Sequence, residues 1–210
     1  MFTVSELALF SLAALVLVLT PGPNMLYCLS RTLGQGRRAG LISLGGVLVG
    51  FMSHLGAAAM GLTALLAAVP LAFDAVRLAG AAYLLWMAWQ AIRGDAAPFA
   101  VRELPHDSVA RLFRMGVLTS VLNPKVAMFY LSFFPQFLHP ERGSVLLQTV
   151  VLGVVQIAVS GTVNALLVCT AGSITTFLSR SETWLRAQRV IMASVLGLLA
   201  LRIATDGRKG

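Results

Sequence analysis

The sequence predicts an all-α, polytopic membrane protein: six transmembrane helices arranged as two inverted three-helix repeats, with helices 1 and 4 broken in mid-course. Three observations carry this. Of the 210 residues, 58% are hydrophobic and only 11% charged, whereas a soluble domain carries roughly 25% charged residues. Residues 39–73 contain no Asp, Glu, Lys or Arg, a run longer than the roughly 20 apolar residues that one crossing requires. Two apolar segments are interrupted by proline beside asparagine, in TPGPN (20–24) and in LNPK (122–125).

Apolar runs bounded by charge or proline place the spans at about 4–33, 40–68, 71–92, 113–138, 144–170 and 184–204. The first is too long for a straight crossing, since at 1.5 Å per residue it reaches roughly 45 Å, so a bend at TPGPN is expected. It has no basic leader and no small-residue cleavage site, and it reads as a retained helix with Glu6 in its first turns. Span two carries Gly46 and Gly50, a GxxxG pair that lets helices approach closely within the protomer, a homodimer contact being the alternative. Span three opens with Asp74 and Arg77, at the spacing of an i,i+3 pair, and closes with Trp86 and Trp89, which fit an interfacial aromatic belt. Span five holds Gln156 and Asn164, to which the sequence assigns no role.

Charge in the loops sets the expected orientation. Arg31, Arg37 and Arg38 follow span one, Arg93, Arg102, Arg111 and Arg114 surround the loop after span three, and Arg180, Arg186 and Arg189 the loop after span five. The alternate connections VPLAF (69–73) and HPERG (139–143) carry only Arg142 as a basic Lys or Arg. The positive-inside rule therefore puts loops 1, 3 and 5 in the cytoplasm and both termini outside. The chain is one membrane domain, 1–210: repeat one over 1–93, a cytoplasmic linker over 94–112 and repeat two over 113–210. The net charge of +8 is explained by these loops, and no basic patch interleaved with aromatics points to nucleic acid.

Other function classes find little support. Cys28 and Cys169 are isolated, which argues against a disulfide framework or a metal site. No GxSxG, HExxH, P-loop or close carboxylate pair is present, so no enzyme and no cofactor is expected.

The chemistry lies in the two breaks. LTPGPNMLYCLS (19–30) and VLNPKVAMFYLS (121–132) share a polar residue and proline after an apolar run, then an aromatic and Leu-Ser. Each opens a half of three spans, and an odd number per half turns the halves opposite ways across the bilayer. Paired broken segments in matching positions point to a transport site. Pro21 and Pro23 cannot donate to Leu17 and Leu19, and Pro124 cannot donate to Ser120, leaving carbonyls at a depth where lipid cannot satisfy them. Freed carbonyls suit an ammonium, and the N–H groups of a restarting helix suit a carboxylate, which together match the two ends of an amino acid. Thr20, Pro21, Gly22, Pro23 and Asn24, with Asn123, Pro124 and Lys125, are therefore the candidate substrate-binding residues. Lys125 is an ionisable group inside a span, a functional candidate on that ground, with snorkelling to the membrane interface as its alternative. Asn24 and Asn123 could hold a substrate or satisfy freed backbone groups. His54, in span two, is a candidate for coupling, with hydrogen-bonded packing as its alternative.

With TPGPN followed by SRTLGQGRRAGL, then PLAF and RLAGAAYLLWMAW, then LNPKVAMFYLSFFPQF, the chain resembles the LysE/RhtB superfamily of bacterial amino-acid exporters. The resemblance implies a six-helix carrier of the bacterial inner membrane that exports amino acids or derivatives, driven by the proton gradient. It also implies that Pro21, Gly22, Pro23, Asn24, Asn123, Pro124 and Lys125 form two matched motifs. One departure stands out. Many members carry an acidic residue just before the position of Ser53 and His54, where this chain has Phe51. That tilts the expected substrate toward neutral amino acids, of the threonine, homoserine or leucine class. The alternatives are export of another small solute, and a non-transporting membrane scaffold.

Overall fold

A computed structural model of the chain describes residues 2–68 and 106–178, with the isolated positions 82, 85, 86, 89, 190, 194, 197 and 201. Among these residues there is no strand, and the helices run α1 (Val4–Leu19), α2 (Pro23–Gln35), α3 (Arg37–Ala68), α4 (Val109–Val121), α5 (Pro124–Met128) and α6 (Val145–Leu178). A π turn at Phe129–Phe133 and 3-10 turns at Phe134–Phe137 and Pro140–Arg142 join α5 to α6. Apart from the isolated positions, the expected spans three and six lie outside the described residues, as do Asp74, Arg77 and linker residues 94–105.

Each boundary has a local cause. Thr3 and Glu6 form a capping box at the start of α1, the Thr3 N–H donating to Glu6 Oε2 at 2.7 Å. Thr20 is extended, with ψ 118°, as a residue before proline must be, and α1 stops there. Pro23 then restarts the helix at a first-turn position where no N–H is needed. The axis turns by 53° between α1 and α2. Gly36, at φ +87°, closes α2 in a conformation that suits glycine.

Ser108 caps α4, its side chain accepting from Arg111 N, so the helix begins at Val109, ahead of the start expected at about 113. The second break repeats the device of the first: Asn123 caps, Pro124 opens α5, and the axis turns by 44°. Beyond it the helix loosens into the π turn and tightens into the 3-10 turn where Pro135 offers no N–H.

Among the described residues, two helices are long and apolar enough to cross a membrane, Arg37–Gly61 with mean hydropathy 1.7 and Val145–Ala171 with 2.0. The bent pairs α1–α2 and α4 to Phe137 also qualify if each counts as a single span. This is the membrane-protein fold that the composition calls for.

Glycine lets α3 and α4 touch at their backbones. A Cβ on Gly46 would strike the Phe113 carbonyl, one on Gly50 the Ser120 side chain, and one on Gly116 the Ser43 carbonyl. The GxxxG pair is thus used inside the protomer, against a glycine of the opposing helix. Phe10 of α1 packs into the irregular segment, its ring centroid 5.9, 5.6 and 5.2 Å from those of Phe129, Phe134 and Phe137.

An ionic cluster closes each end of the α1–α2 pair. Near the end of α2, Arg31 Nη1 lies 2.6 Å from Asp107 Oδ2, with Arg111 Nε 3.1 Å from Oδ1 and Gln35 donating to Oδ2 at 2.9 Å. In the first turn of α1, Glu6 Oε1 takes Arg142 Nη1 at 2.8 Å and lies 3.3 Å from His139 Nε2. The end of loop 3 is thereby tied to the end of α2, beside loop 1.

Candidate functional site

Two of the carbonyls freed by proline, those of Leu17 and Ser120, meet side chains from elsewhere in the fold. Lys125, at the second break, reaches the first: its Nζ donates to Leu17 O at 2.9 Å and to Thr20 O at 2.6 Å. Its stem lies against Gly22, where a Cβ would stand 2.8 Å from Nζ and 3.0 Å from Cε. Gly22 is extended, at φ −165°, which any residue could adopt. The glycine is therefore needed for the close approach of lysine to backbone. The hydroxyl of Thr20 turns back to Val16 O at 2.7 Å.

At the second break the Ser120 carbonyl accepts from Asn123 N at 3.1 Å and is met as well from α3. His54 Nε2 lies 3.0 Å from Ser120 O, and because a carbonyl only accepts, Nε2 carries the proton. The imidazole stacks on Tyr130, with centroids 5.9 Å apart. Asn24 links the two breaks, its Nδ2 donating to Ser120 Oγ at 3.2 Å. Asn123 serves its own helix, with Oδ1 accepting from Lys125 N at 3.0 Å. The breaks are therefore unequal: the second is capped by asparagine, whereas no side chain caps α2 behind Gly22.

Between them lies a cavity of about 20 Å³, room for about one water molecule. Its polar lining is Asn24, Lys125, Gln156, Ser160 and Asn164, and Leu17, Phe51 and Val126 belong to its apolar wall. Phe51 thus faces this space. Three buried amide atoms near the breaks have no hydrogen-bond partner: Asn24 Oδ1, Asn123 Nδ2 and Asn164 Oδ1.

Of the residues that the sequence proposes, the fold gathers the Thr20 carbonyl, Gly22, Asn24 and Lys125 at the first break, and sets Asn123 and His54 around the second. Pro21, Pro23 and Pro124 are exposed and act through the backbone they shape. The lining residues of α6 were not among the proposed set. Gln156, Ser160 and Asn164 recur every four residues in an apolar helix, and that spacing is the signal that would have found them. Among the described residues no group of three His, Cys, Asp or Glu could hold a metal ion.

A helical membrane protein whose polar interior is built on two broken helices belongs to a recognisable class, in which irregular backbone is admitted at depth only where protein or a cavity satisfies it. The chain is a member of the LysE type translocator family, whose family model matches residues 15–207. It is accordingly a translocator and not an enzyme. It is 37% identical over 134 residues to an uncharacterized membrane protein of Vibrio cholerae, covering 63% of this chain and 65% of that one. It is 31% identical over 150 residues to a homoserine/homoserine lactone efflux protein of Salmonella typhimurium, covering 71% and 72%. It is 34% identical over 133 residues to a leucine efflux protein of an Enterobacter species, covering 61% and 62%. The match thus spans slightly less than two thirds of the Vibrio and Enterobacter relatives. No solved structure matches the chain.

Proposed function

We propose that the protein is a secondary exporter of small neutral amino acids, of the threonine, homoserine or leucine class, in the bacterial inner membrane. The observation that carries this reading is the Lys125 bridge: a charged side chain from one broken helix holds the carbonyl end of the other, beside a cavity that Asn24, Gln156, Ser160 and Asn164 also line. Relatives named for homoserine and leucine efflux support the substrate class, and the apolar Phe51 in the cavity wall supports a neutral side chain.

The cavity is smaller than an amino acid, so the described conformation is a closed one. Transport requires Lys125 to leave the carbonyls of Leu17 and Thr20 and to meet the substrate carboxylate, with Gly22, Asn24 and Asn123 around it. The exposed prolines Pro21, Pro23 and Pro124 keep the two hinges free of helical bonding. Alternating access about these hinges, in two inverted three-helix repeats (1–93 and 113–210) joined by the linker 94–112, moves the site from one side to the other. Loops 1, 3 and 5 face the cytoplasm. Proton antiport supplies the driving force, with His54 at the second hinge as the coupling group.

Reconstitution into proteoliposomes tests this. Labelled leucine, homoserine and threonine should leave the vesicles faster when a proton gradient is imposed. Flux that ignores the gradient removes proton coupling, and absence of flux for a full amino-acid panel removes the reading.

A further inference from the structure

The polar stripe of α6 has no role in the motifs, yet it is as deeply buried as Ser120 and Asn123 at the second break. Gln156, Ser160 and Asn164 are 0%, 1% and 2% exposed. Both ends of Gln156 are committed: Oε1 accepts from Tyr130 Oη at 2.7 Å, and Nε2 donates to Ser160 Oγ at 2.9 Å. Asn164 Nδ2 donates to Ser160 O at 2.8 Å. That carbonyl can only accept, which fixes the amide orientation and leaves Asn164 Oδ1 without a donor. Asn24 of α2 also has one amide atom used, Nδ2 on the Ser120 hydroxyl, and Oδ1 unpartnered. Asn24 and Asn164 line the same cavity, as does Lys125. Buried acceptors without donors are rare in folded proteins, and here two belong to one cavity.

What these oxygens lack is a multiple donor. A hydroxyl offers one hydrogen, a water two and an ammonium three, and of these only the ammonium brings a charge that a bound carboxylate can balance. A bare cation fits poorly, because Lys125 brings positive charge and no lining residue is a carboxylate. A zwitterion solves both problems, since it carries the anion that Lys125 needs. We propose that Asn24 Oδ1 and Asn164 Oδ1 form the subsite for the α-ammonium of a zwitterionic substrate, opposite Lys125 as the carboxylate partner. Tyr130, Gln156 and Ser160 act as positioning residues, holding Asn164 through consecutive hydrogen bonds. This assignment rests on the reading of the cavity as an amino-acid transport site.

The test is equilibrium binding of labelled L-leucine to the purified full-length protein, with competition by 4-methylpentanoate, the same molecule without its amino group. In the Asn164→Leu variant the Kd for leucine should rise about tenfold or more, the loss of one hydrogen bond to a charged group. The inhibition constant of 4-methylpentanoate should stay within about twofold, which also shows that the variant is folded. Should Asn164→Leu not fold, Asn24→Leu leaves α6 intact and should show the same selective loss. An unchanged leucine Kd in a folded variant overturns the subsite, and so does an equal loss for both ligands. Failure of the parent to bind leucine or homoserine at all would instead remove the reading of the cavity on which the subsite rests.

Discussion

Replacing Lys125 with methionine keeps the stem against Gly22 and removes only the ammonium. Two hydrogen bonds go with it, to Leu17 O and Thr20 O. Hydrogen bonds to charged groups contribute about 1.5–3 kcal/mol each, so the tie between α1 and α5 loses about 3–6 kcal/mol. Against that, placing a lysine within a span costs about 2.5–3.5 kcal/mol, a penalty the variant escapes. The difference leaves Lys125→Met destabilised by only about 0–3 kcal/mol. It should insert, purify as a monodisperse protein and melt at a modestly lower temperature. Transport should suffer more, because a substrate carboxylate would lose its charged partner, about 10- to 150-fold in apparent affinity. Counterflow of labelled leucine and homoserine in proteoliposomes, normalised to inserted protein, measures this. An apparent affinity within twofold of the parent would refute the reasoning and leave Lys125 as a strut that repairs a broken helix.

The other predictions concern packing and the ends of the bundle. Gly46→Leu forces a side chain against the Phe113 carbonyl, which cannot step aside as a flexible side chain could. It should lower the thermal midpoint by the equivalent of about 1–3 kcal/mol or abolish folded protein. Gly56→Leu is the control: nothing lies within 4 Å of its added Cβ, and its midpoint should shift by no more than about 0.5 kcal/mol. At the α2 end, the Gln35 side chain, with Arg31 and Arg111, holds the Asp107 carboxyl below its ordinary pKa. Stability from this cluster should therefore be complete above about pH 4 and be lost as the pH falls further, through the lowered value. Thermal unfolding followed across that range should show the loss in the parent and not in Asp107→Asn.

Much of this architecture was legible because membrane depth makes polar and helix-breaking residues conspicuous. TPGPN and NPK mark both bends to the residue, since proline removes a donor wherever it stands. The GxxxG pair in span two marked a close helix contact, and Gly116 on the opposing helix completes it. The partners of the freed carbonyls were not legible. Lys125 and Leu17 are far apart in sequence, and only the folded chain brings lysine at one break to carbonyls at the other. The unequal capping of the breaks could have been read, because asparagine caps helices through its side chain and glycine has none. The irregular helix after Lys125 also had its signal in Pro135, which the apolar run conceals. The α6 stripe was hidden by its own helix: Gln156, Ser160 and Asn164 look scattered along the chain until a period of four is applied.

The central claim is that substrate occupies the cavity between the two breaks. Substrate protection of a single cysteine at Ser160 measures it most directly, in a background where buried Cys28 and exposed Cys169 are both replaced by alanine. In vesicles that still transport, saturating leucine or homoserine should slow alkylation of the Ser160→Cys thiol. A labelling rate untouched by every amino acid the vesicles carry would contradict the account.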